Sequence, residues 1–404
     1  MTRVGKAALA LVAVALVASA AVAGSGAAPQ QGRTVTIGYA YDSTGAMAPF
    51  DGPALATAKD RIAQVNRRPG INLRLLTCNT QGNKPAVAKS CAARLLDRGA
   101  QVIMTTCDVD YAAPVVQESI NAGKLTVAPC IGTDQMGPKR FGAKGRLAFS
   151  YGNVAQDEGS AMAEFAWKRG WRSASLATDT VIVYFRNVVQ AFEARWRQLG
   201  GRVVTKETYQ SAPGGVGANP ASWQALVTRL NARDADVIVT ATAGAFGALT
   251  PIVSGLRTLR NDTPFLNSWA GDGNYWYSPN PQITNYYYVT FASAFGDDPV
   301  KAVNALAKRN RAAIAKAGST GGFVTGPAAI DGIVTALNRT GGSTNGARLA
   351  AAMEKFKGVK TLSGKVSFSK QLHTVFGRRY RVIRVENNRP RVLTTIQAKV
   401  VPKI

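Results

Sequence analysis

Short β-type runs alternate with helical patterns through most of this chain, and the whole series occurs twice. In the first half the β-type runs cover 34–40, 73–77, 101–106 and 124–128. Between the first two, Leu55, Ala58, Ile62 and Val65 recur at the three-and-four spacing of one helix face. A second helical pattern over 87–96 stops just before Gly99, where a left-handed cap is wanted. Such a series builds a parallel sheet covered by helices. After 149–151 the series restarts, with helices at 158–167, 187–199, 222–231 and 249–259 and strands at 173–177, 202–208, 237–241 and 264–267. Strands recur at the interval that helical crossovers require. The Gly-rich stretch 212–220 inside this second series has the composition of a surface loop.

From Asn285 the pattern changes to a strand at 286–292, helices at 299–317, 327–338 and 347–355, and β-type runs at 365–369, 379–386 and 391–396. These pieces are too few for a third core and are expected to complete the first two lobes. The expectation is an α/β chain with two doubly wound open-sheet lobes joined by three crossovers, near 149–151, 289–293 and 363–368. The N-terminal lobe would take 33–150 with 291–364, and the C-terminal lobe 151–290 with 365–404.

Ahead of the first strand, Arg3 and Lys6 precede an Ala/Val/Leu run over 7–22, followed by small-residue cleavage sites at 21–23 or 27–28. Residues 1–28 are therefore expected to be a signal peptide, the run being short for a membrane span. The processed chain would be exported, to the periplasm or another extracytoplasmic space, and not integral to a membrane.

Cys78, Cys91, Cys107 and Cys130 make an even count, which in an exported protein points to two disulfides. Spacings of 13, 16 and 23 match no common zinc pattern, and no metal is expected. Four cysteines allow three pairings. Cys107 and Cys130 fall at the ends of neighbouring strands, and Cys78 and Cys91 flank a short loop.

The formal charge of +26 raises nucleic acid as a partner, but the basic residues are scattered and carry no nucleic-acid signature. His373 is the only histidine, and nucleophile-elbow, phosphate-loop and dinucleotide motifs are missing, so neither catalysis nor a cofactor is expected. His373 itself sits among Lys and Arg and is expected to be solvated.

Ligands of open α/β sheets bind beyond the carboxyl ends of the strands. Those ends carry Ser43 and Thr44 after the first strand, Asp108, Asp110 and Tyr111 after the third, and Ile131, Gly132 and Thr133 after the fourth. In the second series they carry Asp179 with Tyr184, Phe246, and Trp269 to Asp272. Asp, Ser and Thr there also suit helix N-caps, the simplest role for Asp42, Asp134 and Asp179. Two carboxylates and a phenol within 108–111 exceed what one cap needs.

The order and spacing of 37–45, 60–66, Cys107, 127–133, Asp179 with Tyr184, and 362–368 resemble the leucine/isoleucine/valine-binding proteins, which serve ABC importers or act as amide sensors. The resemblance spans 33–393 and implies the type I periplasmic binding fold. It also implies a small organic solute, such as an amino acid or amide, and ABC importer permease subunits as partners. The alternative is a ligand sensor acting on a signalling partner. By the resemblance, Asp108 with Ile131, Gly132 and Thr133 would meet one end of the solute, Tyr184 and Phe246 would cover it, and Trp269 to Asp272 would meet an ammonium. The family also offers Cys78 to Cys107 as a competing disulfide. Relatives present a hydroxyl where this chain has Asp108. Two facing carboxylates cost on the order of several kcal/mol, so an amine, amide or hydroxyl is expected at that end of the solute.

Overall fold

The computed structural model describes residues 33–211 and 220–403. The expected signal peptide and most of the Gly-rich stretch at 212–220 lie outside the described residues. The first unit runs β1 (Thr34–Tyr41), α1 (Ala48–Asn66), β2 (Asn72–Asn79), α2 (Pro85–Asp97), β3 (Val102–Met104), α3 (Val109–Asn121), β4 (Leu125–Ala128), α4 (Pro138–Phe141) and β5 (Ala148–Ser150). Its strands form one parallel sheet in the order β2-β1-β3-β4-β5. β5, three residues long and just after the Gly-, Lys- and Arg-rich stretch 137–146, was not expected as a strand.

The second unit runs α5 (Ala155–Lys168), β6 (Ser173–Asp179), α6 (Val183–Gln198), β7 (Arg202–Tyr209), α7 (Pro220–Asn231), β8 (Val237–Ala241), α8 (Leu249–Thr258), β9 (Phe265–Asn267) and β10 (Tyr286–Thr290). Past β10 come α9 (Lys301–Arg309), α10 (Arg311–Ala317), α11 (Thr325–Arg339), α12 (Gly346–Met353), the hairpin β11 (Val359–Thr361) and β12 (Gly364–Val366), then β13 (Tyr380–Glu386) and β14 (Arg389–Ile396). The second sheet has the order β14-β13-β10-β9-β8-β6-β7, parallel except for the antiparallel pairings of β13 with β10 and β14. The long helix expected over 299–317 is divided at Asn310, whose ψ of 16° leaves the helical region and whose side-chain amide bonds Asp60 and the Leu306 carbonyl.

The chain passes between the two parallel-sheet lobes three times. It leaves the first sheet after β5 and returns after β10, when α10 and α11 pack on α1. The last passage lies later than the expected 363–368: the Ser150 amide donates to the His373 carbonyl, and Val375 donates back to Ser150, so 373–375 still run beside β5. The passages meet at Arg378. This buried guanidinium donates to the carbonyls of Tyr151, Gly152 and Ser363 and lies 4.4 Å from the Phe291 ring centre.

His373 is not solvated. It is buried, stacked on Phe149 with ring centres 4.1 Å apart, and its Nδ1 lies 2.9 Å from the Ala148 carbonyl. The apolar face of β5, invisible as a strand, supplies the surface that takes the ring inside, and burial lowers its pKa.

Candidate functional site

The carboxyl ends of β1, β3 and β4 are tied together by buried carboxylates. Asp42, just past β1, accepts from the amides of Thr44, Gly45, Met47 and Gly82 at 2.9–3.2 Å. A Cβ on Gly45 would come within 2.6 Å of both the Asp42 carboxylate and the Gly82 Cα, so the turn closes only around glycine. Asp51 on α1 accepts from the Asp42 amide at 2.7 Å, the Thr106 hydroxyl at 2.6 Å and the Cys107 amide at 2.9 Å. Burial pushes its pKa up to about 8. The disulfide Cys107–Cys130 then joins the loops after β3 and β4, with Cα atoms 4.7 Å apart, and Cys78–Cys91 joins β2 to α2 at 5.6 Å. The competing Cys78 to Cys107 pairing is not formed.

This framework turns Met47, Phe50, Cys107 and Asp108 toward the second lobe, where Ile182, Tyr184, Phe185, Ala243, Trp269 and Ala270 face them. Together they enclose a pocket of about 270 Å³ counted to its mouth. The wall is almost wholly apolar. Trp269 lies between Phe50 and Phe291, at centroid distances of 5.0 and 4.5 Å, and the Tyr184 ring lies against Gly132, where a Cβ would approach it to 2.6 Å.

Asp108 is the charged side chain of this wall. Its Oδ1 caps α3, accepting from the amides of Asp110 and Tyr111 at 2.9 and 3.3 Å. Burial and then the neighbouring Asp110 push its pKa up to about 7. Behind the wall, Glu158 on α5 accepts from the Tyr184 hydroxyl at 2.8 Å and the Trp269 amide at 2.6 Å. Its other oxygen is buried and has no hydrogen-bond partner among the described residues, as is true of the Trp269 indole nitrogen. Burial raises the Glu158 pKa to about 8.

Of the residues singled out from sequence, Asp108, Tyr184 and Trp269 come together in the pocket wall. Tyr111 and Phe246 stand just behind, their ring centres 6.3 Å apart, with Phe246 5.3 Å from Phe185. Ile131 is buried in the first lobe, and the Thr133 hydroxyl accepts from the Gln135 amide. Ser43 and Thr44 are exposed and outside the wall. Asp272 is turned away, accepting from the Thr290 hydroxyl and the amides of Gly273 and Gly321 at 2.5–2.6 Å. The Asp110 oxygens are taken by Arg140 at 2.7 Å and the Val183 amide at 2.9 Å. Sequence reasoning missed Met47, Phe50, Ile182, Phe185 and Glu158. The first four are apolar and indistinguishable from core by type. Glu158 carried a signal only in being an acid one residue after Asp157 at the start of a helix.

The sequence matches the periplasmic binding protein family over residues 34–390. No curated protein matches it. Among solved structures, it resembles the branched-chain amino acid transporter substrate-binding protein LivJ of Streptococcus pneumoniae in complex with isoleucine, with TM-score 0.74 and 17% identity over 92% of this chain and 100% of that one. It is similar to the leucine-binding protein LivK of Thermotoga maritima, with TM-score 0.71 and 16% identity over 90% and 98%. It is also similar to an ABC transporter solute-binding protein of R. palustris in complex with 4-hydroxybenzoate, with TM-score 0.72 and 16% identity over 91% and 98%. With two parallel-sheet lobes, three passages between them and a family match covering nearly all described residues, the chain belongs to the periplasmic binding protein family.

Proposed function

We propose that this chain is an extracytoplasmic solute-binding protein that closes its lobes over a small organic solute and presents it to the permease subunits of an ABC importer. The observation that carries this is the pocket at the strand ends of both sheets, with Met47, Phe50 and Asp108 from one lobe opposite Ile182, Tyr184, Phe185 and Trp269 from the other. Sites built between two bodies take ligand by hinge closure. The moving bodies are residues 33–150 with 291–375 and residues 151–290 with 376–403, turning about the passages held by Arg378. The wall combines apolar side chains with one carboxylate facing the enclosed space, and binding is the function this geometry supports best.

The wall also favours one class of solute. Its apolar side chains suit an apolar or aromatic body. Asp108 suits an amine, amide or hydroxyl donor facing it, and above pH 7 it repels a carboxylate brought into the same space. Asp272, with its oxygens committed to Thr290, Gly273 and Gly321, offers nothing to an α-ammonium. An amide or amine with an apolar body therefore fits better than a plain α-amino acid. Calorimetry at pH 8 across aliphatic and aromatic amides, amines, leucine, isoleucine and 4-hydroxybenzoate tests this, with Asp108→Ser as control. Micromolar binding of leucine by the wild type, unimproved in Asp108→Ser, would refute the assignment.

A further inference from the structure

The acid pair at 108 and 110 is more than one helix cap requires, and the structure gives each carboxylate a different helix. Asp108 caps its own, α3. Asp110 reaches across to the other lobe, where its Oδ2 accepts from the Val183 amide, the first residue of α6, at 2.9 Å. The residue preceding α6, Ile182, has an apolar side chain and makes no capping bond of its own. Helix N-termini leave amides unsatisfied and favour negative charge. The first turn of α6 is thus completed by a carboxylate from the opposite body.

Arg140 fixes that carboxylate from its own side. Its guanidinium bonds Asp110 Oδ1 at 2.7 Å and the Gln135 side chain at 3.0 Å, so the aspartate is oriented before the lobes meet. Tyr184, one residue beyond Val183, places its ring on Gly132 in the same closed geometry. The Asp110 to α6 contact is thus a bond made between the lobes only when they are brought together.

We infer that Asp110 is an interlobe latch: by capping α6 of the opposite lobe it favours the closed arrangement of the two lobes. The latch acts on the closing equilibrium and does not touch the solute. Because Asp110 is about one-third exposed, at 32%, its charge-assisted bond to the Val183 amide is weaker than a buried one. Loss of the cap is expected to lower the closed-to-open ratio about tenfold.

The test is double electron–electron resonance on the full processed protein, refolded free of solute, with spin labels at Lys89→Cys on α2 and Gln224→Cys on α7. Wild type is expected to show a short-distance population. Asp110→Ala should lower its ratio to the long-distance population about tenfold, Asp110→Asn by less, and Arg140→Gln by a similar smaller amount. A native circular dichroism spectrum and a single cooperative unfolding transition would show that the variants fold. The inference is overturned if wild type shows no short-distance population, or if Asp110→Ala leaves the distribution unchanged. Neither outcome depends on which solute the pocket binds, so failure of the latch and failure of the proposed function are separable.

Discussion

Replacing Glu158 with Gln should change how stability depends on pH more than stability itself. Glu158 is fully buried, one oxygen holds Tyr184 and Trp269 in place, and the other has no partner among the described residues. Burial lifts its pKa to about 8, against about 4.3 for an exposed glutamate in the unfolded chain. Between those values the folded protein keeps a proton that the unfolded chain has released. Stability from this group is therefore complete below the unfolded value and is lost as pH rises toward 8. One proton of difference is worth about 1.4 kcal/mol per pH unit, so from pH 6 to 7.5 Glu158 alone removes about 2 kcal/mol. Asp51, Asp108 and Asp272 are raised in the same direction, to about 8, 7 and 7, and persist in the variant. His373, lowered by burial, is present in both proteins and cancels in the comparison, and Arg378, lowered to about 10, lies above the window. Urea unfolding at half-unit steps from pH 6 to 8.5 should thus give a downward slope in wild type. In Glu158→Gln the slope should be shallower by about one proton. At pH 6, where the glutamate is protonated, the two proteins should differ by only about 1 kcal/mol, the cost of an amide donor left unpaired. Parallel slopes for the two proteins would refute the reasoning.

Other consequences can be measured directly. Closing loops of 13 and 23 residues, the two disulfides should each stabilise by about 3 kcal/mol, and unreduced peptide mapping should recover Cys78–Cys91 and Cys107–Cys130; a Cys78 to Cys107 peptide or four free thiols would contradict this. Because Asp108 titrates near pH 7, a solute that donates to it should bind several-fold more weakly at pH 6 than at pH 8, and a carboxylate-bearing solute more tightly, as read by calorimetry at both pH values. Arg378→Met should lower stability by about 3 kcal/mol, because the carbonyls of Tyr151, Gly152 and Ser363 lose a buried donor, and chemical unfolding measures it. N-terminal sequencing of the exported protein should begin near Gly24 or Pro29, and an intact Met1 in the membrane fraction would contradict the signal-peptide assignment.

The alternation that defined two parallel sheets was visible because each strand and helix carries its own period, and the sheet ends followed from it. Boundaries failed at β5, which follows a Gly-, Lys- and Arg-rich stretch with the composition of a loop, and at Asn310, where a helix is interrupted. The burial of His373 failed for the same cause, since the surface it stacks on is that unseen strand. At the site, sequence found polar residues at strand ends but not which way they point. Asp42 and Asp108 at the strand ends and Asp179 at the end of β6 all bind backbone amides, but only Asp108 also faces the pocket. Asp110 and Asp272 are directed elsewhere by partners distant in sequence, Val183 and Gly321. The apolar wall was illegible in principle, because Met47, Phe50 and Phe185 are chemically the same whether they face a core or a ligand.

The central claim is that the interlobe pocket binds and carries a small organic solute unchanged. Native mass spectrometry of the protein purified from the exported fraction without denaturation, followed by release and identification of anything bound, tests it most directly. The account predicts one solute per chain with an apolar body and an amine, amide or hydroxyl group. It should be recovered intact after prolonged incubation and be lost from Trp269→Ala together with Phe50→Ala. Chemical conversion of the solute during incubation, or retention by the doubly substituted pocket, would contradict it.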